Sequence, residues 1–185
     1  NAAYSTMMSK LCDYDKRSDY VIEIIKRLLI EDDKQQIIIL GHYKNILNYL
    51  YNTIKEINIA SVGYYVGGMK QNALKESETK QIIVATYSMA SEALDIKTLT
   101  TLIMATPKTD ITQSIGRILR ADHAMPRVID IVDSHDLFKR QGLKRMKYYK
   151  AQKYKVFEYN DEIDNYREID YGKKQEKKSK CMINI

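Results

Sequence analysis

The chain's 185 residues are enough for one full domain with a proper core and few for two. With 30 lysines and arginines against 24 aspartates and glutamates, a formal charge of +6 and 44% apolar residues, it reads as a folded, mildly basic protein. No stretch approaches the roughly 20 uninterrupted apolar residues of a membrane-spanning helix, and the opening lacks a signal-peptide pattern, which speaks against membranes and secretion. Cys12 and Cys181, too far apart for a disulfide framework, fit a reducing, intracellular compartment.

Residues 1–17 show no sustained periodicity, and an opening of Asn1-Ala2-Ala3 without methionine reads as a leader on a piece of a longer protein. From Ser18, which has the chemistry of an N-cap, Val21, Ile24, Ile25, Leu28 and Leu29 recur at helical spacing as far as the charged run from Glu31 to Lys34. Ile37 to Leu40 is a continuous apolar run, the pattern of a strand covered on both faces, and Gly41 stops it. Helical spacing returns at Tyr43, Ile46, Leu47, Leu50 and Ile54. Ser61 to Val66 then predicts a strand, Lys70 to Glu78 a short helix, Ile82 to Ala85 a buried strand, and Leu102 to Thr106 another, ended by Pro107. Asp110 to Ala121 predicts a helix, Arg127 to Val132 a strand, and Leu137 to about Lys150 a helix. This alternation predicts an α/β fold of three layers, a mainly parallel sheet with helices on both faces, over residues 18–150. Residues 151–185 are expected to form a basic extension whose last part is disordered. In such sheets ligands gather at the carboxyl ends of the strands, which draws attention to the residues just after Leu40, Ala85 and Thr106.

The positive charge is unevenly spread. Between Lys139 and Phe157 stand eight basic residues and no acidic one, and from Lys173 to Lys180 five lysines face only Glu176, so the rest of the chain is net acidic. Two readings stay open: an anionic partner for this end, or a solvated helix followed by a disordered tail. Tyr148, Tyr149 and Tyr154, interleaved with the lysines, fit either stacking faces on a basic track or core packing.

Several chemistries are missing. The stretch from Gly63 to Gln71 has its lysine, Lys70, one place late for a phosphate loop and lacks the hydroxyl, so it reads as a strand-to-helix turn. Val128 to Asp133, an apolar run closed by a carboxylate, reads as a strand end. His42, His123 and His135 lack metal-ligand spacing, so no metal site is expected, and no Gly-x-Ser-x-Gly elbow is present.

The most informative segment is Thr109 to Arg120, TDITQSIGRILR. At about 100° per residue, Gln113, Gly116, Arg117 and Arg120 share one arc, and Ile111, Ile115, Ile118 and Leu119 occupy the opposite side. Gly116 costs a helix interior roughly 1 kcal/mol relative to alanine, which points to a close approach of something to the backbone. Two guanidinium groups and an amide on one arc suit phosphate oxygens, and an amphipathic helix with surface arginines is the plainer alternative.

Gln113-Ser-Ile-Gly116-Arg117-Ile-Leu-Arg120 resembles motif VI, Gln-x-x-Gly-Arg-x-x-Arg, of superfamily 2 helicases. Some 30 residues upstream, the strand from Ile82, Thr86 and the turn around Ala93, Leu94 and Asp95 resemble motif V, although the family usually has glycine where this chain has Ala93. Ile37 to Leu50 resembles motif IV. The three stand in family order and spacing over roughly residues 18–135, closest to the DNA repair and transcription branch and to helicases of large DNA viruses.

The resemblance covers only the second, C-terminal, of the family's two RecA-like domains. It implies a fragment inactive alone, completed by an N-terminal RecA-like domain of the same protein that holds most of the ATP and Mg2+. Arg117 and Arg120 would act as arginine fingers, Gln113 would order the site, and Asp95 and Gly116 would lie against the nucleotide. Gly41, His42, Lys44 and Thr86 would touch the backbone of DNA or RNA. A viral source would imply host cytoplasm or virion. The alternative is a non-catalytic nucleic-acid or protein docking module on a degenerate helicase fold.

Overall fold

A computed structural model describes residues 4–92, 96–118, 126–160 and 165–170, leaving the side chains of Glu92, Arg117, Ile118 and Asn160 undescribed. Within these residues the chain forms two units, one within Asn1–Thr106 and Ile111–Ile131, the other within Pro107–Asp110 and Val132–Ile185.

The first unit contains α1 (Tyr4–Cys12), α2 (Asp15–Glu31), β1 (Gln36–Gly41), α3 (Lys44–Ile57), β2 (Val62–Tyr65), α4 (Gln71–Glu78), β3 (Ile82–Thr86), α5 (Tyr87–Glu92), β4 (Leu99–Met104), α6 (Thr112–Ile118) and β5 (Arg127–Asp130). Its five strands form a sheet in the order β2-β3-β1-β4-β5, every neighbouring pair parallel. The apolar runs sit where a doubly covered sheet needs them: Ile37 to Leu40 on β1 and Ile82 to Ala85 on β3 have no exposed surface. Crossovers between parallel strands are right-handed as a rule, which sets α3, leading outward from β1 to β2, on the opposite face from the connections that run the other way, and α3 packs against α2. The oppositely directed connections place α4, α5 and α6 on the other. Val21, Ile22, Ile25 and Leu28 of α2 and Ile46, Leu47, Leu50 and Ile54 of α3 bury one side of the core.

Several boundaries differ from expectation. Residues 4–12 are helical although only Met8 and Cys12 of them are buried, too few to show a period. Helix α2 starts at Asp15, with Tyr14 as its N-cap, so Ser18 is not a cap. Ser18 is instead buried beside Arg17, whose Nη1 donates to the Ala105 carbonyl at 2.5 Å. Strand β4 begins three residues early, because its polar residues are satisfied within the sheet. Gln36 pairs with Leu99 and Ile37 with Thr101, which leaves Thr100 as an irregularity whose Oγ1 accepts from the Gln36 N–H and donates to the Gln36 carbonyl, both at 3.2 Å.

The amino ends of the strands are joined by side-chain amides. Gln36 Nε2 donates to the carbonyls of Glu78 and Lys80, each at 2.8 Å, and its Oε1 accepts from Thr98 at 2.5 Å. Gln35 Nε2 donates to the carbonyls of Leu28 and Asp32, and its Oε1 accepts from the buried Thr101 hydroxyl at 2.6 Å.

The second unit contains α7 (Asp136–Ala151) and an antiparallel hairpin of β6 (Phe157–Asn160) and β7 (Asn165–Glu168), which the sequence did not announce. Helix α7 buries Phe138, Gly142, Arg145 and Tyr149, so of the interleaved tyrosines Tyr149 is a core residue. Arg145 Nη1 donates to the Lys108 carbonyl at 2.8 Å. The lysine run from Lys173 to Lys180 lies outside the described residues.

Candidate functional site

Strand connections set the place. From β1 the chain leaves toward β2, and from β4 it leaves toward β5, so the order reverses between these two neighbours. A parallel sheet opens a crevice at such a switch point, beyond the carboxyl ends of its strands. His42, just after β1, and Thr106, just beyond β4, meet across it: the His42 N–H donates to Thr106 Oγ1 at 3.1 Å, and His42 Nδ1 lies 2.7 Å from the same oxygen. The buried Tyr87 that follows β3 closes the cluster. Its hydroxyl donates to the Thr106 carbonyl at 2.8 Å, and its ring lies 4.7 Å from that of His42.

The residues expected to touch nucleic acid come together here. Gly41 and Thr86 are register partners across β1 and β3, and His42 and Lys44 follow Gly41 as exposed residues leading into α3. A side chain at position 41 would stand 2.9 Å from Leu47 Cδ2, so glycine lets α3 begin directly over the strand end. Thr86 Oγ1 accepts from the Met89 N–H at 3.4 Å and lies 3.2 Å from Ser88 Oγ, which places it at the head of α5. Ile82 to Glu92 is therefore a strand, a threonine at the head of a helix and a short helix, and the turn expected around Ala93, Leu94 and Asp95 lies outside the described residues. Beside them β2 runs into the exposed Gly67 and Gly68, and Gly68 has a φ of +89°, a conformation that suits glycine. Sequence reasoning missed Tyr87 and the side-chain role of Thr106. Thr106 could have been found from its place at a strand end opposite His42.

Helix α6 buries Ile111 and Ile115, as its apolar face requires, and leaves Gln113 and Gly116 exposed. A Cβ at position 116 would meet nothing within 4 Å. Arg117 belongs to α6 by its backbone, and its side chain lies outside the described residues, as do Asp95 and Arg120 entirely. Among the described residues no group of three His, Cys, Asp or Glu side chains could hold a metal ion, and no helix is long and apolar enough to cross a membrane.

Near the crest, burial and a 3.1 Å hydrogen bond to Glu78 push the Tyr65 hydroxyl up to about 12. Burial likewise raises Tyr64, whose hydroxyl donates to Asn48 Oδ1 at 2.5 Å.

A five-stranded parallel sheet covered on both faces, with polar side chains gathered at its switch point and a glutamine- and arginine-bearing helix after β4, defines a RecA-like α/β domain of the superfamily 2 helicase type. The family profile described as the helicase conserved C-terminal domain matches residues 20–122, and the chain belongs to that family. A protein of Acanthamoeba polyphaga mimivirus, named provisionally as an ATP-dependent RNA helicase, is 41% identical over 84% of this chain and 30% of its own length. An African swine fever virus protein of the same provisional name is 29% identical over 68% of this chain and 27% of its own length. The chain thus spans less than a third of these viral relatives. The crystal structure of T4 UvsW shares the fold with a TM-score of 0.68 at 19% identity, over 83% of this chain and 36% of that one.

Proposed function

We propose that this chain is the second RecA-like half of an ATP-dependent helicase or translocase that acts on a strand of DNA or RNA. The observation that carries this reading is the convergence of Gly41, His42, Lys44 and Thr86 at the switch point of a sheet whose family is that of helicase C-terminal domains. The Lys44 ammonium supplies charge for backbone phosphates and the Thr86 hydroxyl a hydrogen-bonding group beside it, while the buried Gly41 serves by letting α3 begin over the strand end.

Catalysis needs a second half. An N-terminal RecA-like domain of the same protein would hold ATP and Mg2+, which supply the transferable phosphoryl group and its charge neutralisation when bound. Helix α6 would face that site with Gln113 and Gly116, while Arg117 and Arg120 would supply guanidinium groups to stabilise the charge that builds on the terminal phosphate. Asp95 would serve the ribose or couple to the arginines. Closure of the two halves around ATP and reopening after hydrolysis would move the carboxyl ends of the strands along the nucleic acid. The same reading sets the work in a reducing compartment, which suits the buried cysteine Cys12.

The test is nucleic-acid-stimulated ATPase of the full-length protein. Arginine fingers contribute about 10³ to 10⁵ in rate, so Arg120→Ala is expected to abolish turnover and leave ATP binding intact. Near-normal ATPase in that variant would overturn the assignment.

A further inference from the structure

We propose that Tyr43 is a stacking surface for a nucleobase, so that the site grips a single strand by the face of a base as well as by its phosphates. This rests on the reading that the whole protein works on a strand, and adds a residue to it. Tyr43 stands between His42 and Lys44 where β1 passes into α3, and it is 38% exposed. It is the N-cap of α3, a position where serine, threonine, aspartate or asparagine would accept a hydrogen bond from the helix, and its side chain makes no such bond. Helix capping therefore gives no reason for an aromatic residue here.

The ring is firmly mounted. From one side the Tyr64 hydroxyl of β2 donates to Asn48 Oδ1 at 2.5 Å and to the Lys44 carbonyl at 3.5 Å, which braces the first turn of α3. From the other, Asn45 Nδ2 donates to Asp13 at 2.5 Å. The other rings at these strand ends are already engaged, since Tyr87 is buried and the His42 ring lies against it and beside Thr106. Among the described residues, the Tyr43 side chain takes part in no hydrogen bond or ring contact. Next to it the exposed Lys44 offers a cation, and across β1 and β3 the hydroxyls of Thr86 and Ser88 stand 3.2 Å apart. Asp13, and Asp19 with its 2.5 Å bond from the Tyr49 hydroxyl, set carboxylates on the α2 side of α3, so phosphates belong on the side of Lys44 and Thr86. An uncharged ring face tolerates those carboxylates as neighbours. A half-exposed ring beside a lysine meets the two demands of a single strand, stacking and charge neutralisation.

The chain has no tryptophan, so Tyr43→Trp introduces a single indole whose emission a stacked base quenches. Titration with oligo(dT) or oligo(U) is expected to quench it, and an abasic sugar-phosphate oligomer of the same length is expected to leave it unchanged. In anisotropy titrations over a salt series, Tyr43→Leu should weaken binding of both oligonucleotides on the order of tenfold, while Tyr43→Phe, which keeps the ring, binds as wild type. The leucine variant should keep the wild-type affinity for the abasic oligomer and the wild-type slope of log affinity against log salt, because no phosphate contact is lost. Lys44→Gln should flatten that slope by about 0.7. Circular dichroism checks that the variants fold, and if Tyr43→Leu does not, the tryptophan and phenylalanine variants decide. The proposal is overturned if base-bearing strands fail to quench the indole, if Tyr43→Leu binds them as wild type, or if it loses affinity for the abasic oligomer equally. Should any of these occur while Lys44→Gln and Thr86→Ala lose affinity, the helicase reading stands. If the wild-type chain binds neither oligonucleotide, the proposal falls, and the ATPase test of the full-length protein decides the reading beneath it.

Discussion

Replacing Gly116 by alanine separates two reasons for a glycine on α6. The position is the fifth of seven helical residues, has no positive φ, is exposed, and offers open space to a methyl group, with no described atom within 4 Å. Among the described residues, therefore, nothing asks for glycine here. Alanine removes the entropic cost of a helical glycine, about 1 kcal/mol, so Gly116→Ala should make this chain more stable. For a chain of this size that is a rise in Tm of about 2–4 °C, readable by thermal and urea melts followed by circular dichroism. On the function proposed above the same methyl would stand on the arc that faces the nucleotide in the full-length protein, and the expected outcome is a loss of ATPase despite the gain in stability. A variant that is both more stable and fully active would show that nothing approaches the backbone at Gly116, and would remove it from the nucleotide-facing arc.

Gly63→Ala should have the opposite effect on stability. A Cβ there would sit 2.7 Å from Ser77 Cα and 2.9 Å from the Ser77 carbonyl oxygen, both backbone atoms of α4, so overpacking of about 3 kcal/mol is expected, measured as a lower urea midpoint. Thr106→Val removes the acceptor of the His42 N–H and should loosen the crest, lowering nucleic-acid stimulation of the full-length ATPase while the unstimulated rate persists. Tyr65 provides a pH test. Its folded-state pKa lies above the unfolded value of 10, so the stability it contributes is complete below pH 10 and is lost as pH rises toward about 12. Thermal melts between these values should show a decline that Tyr65→Phe makes shallower.

The parts of the fold that could be read in advance were those whose burial is total. Ile37 to Leu40 and Ile82 to Ala85 announce strands because both faces are covered, and the wheel of α6 matches its buried Ile111 and Ile115. Elements stabilised by polar contacts were harder to see. The early start of β4 depends on hydroxyls of Thr98, Thr100 and Thr101 finding the two glutamines at the start of β1, a pairing some 60 residues apart that no local pattern records. Helix α5 is too short for a period, and β6 and β7 have exposed faces and no Asn-Gly or Asp-Gly turn to mark them. Part of the candidate site was legible through motif order, which drew attention to Gly41, His42, Lys44 and Thr86, residues at neighbouring strand ends, and to Gln113 and Gly116, both exposed on α6. The cluster of His42, Tyr87 and Thr106 was not, since it arises only when strand order brings three separate strand ends together.

The paired glutamines have a mechanical meaning as well. Gln35 and Gln36 fasten the end of α2, the segment after α4 and the start of β4 to one another at the amino edge of the sheet. Loops at the opposite edge are thereby mounted on a clamped base, and a displacement imposed there is borne by the sheet as a whole instead of being dissipated by slippage between strands. In the translocase proposed above, that stiffness would turn movement at one edge into force.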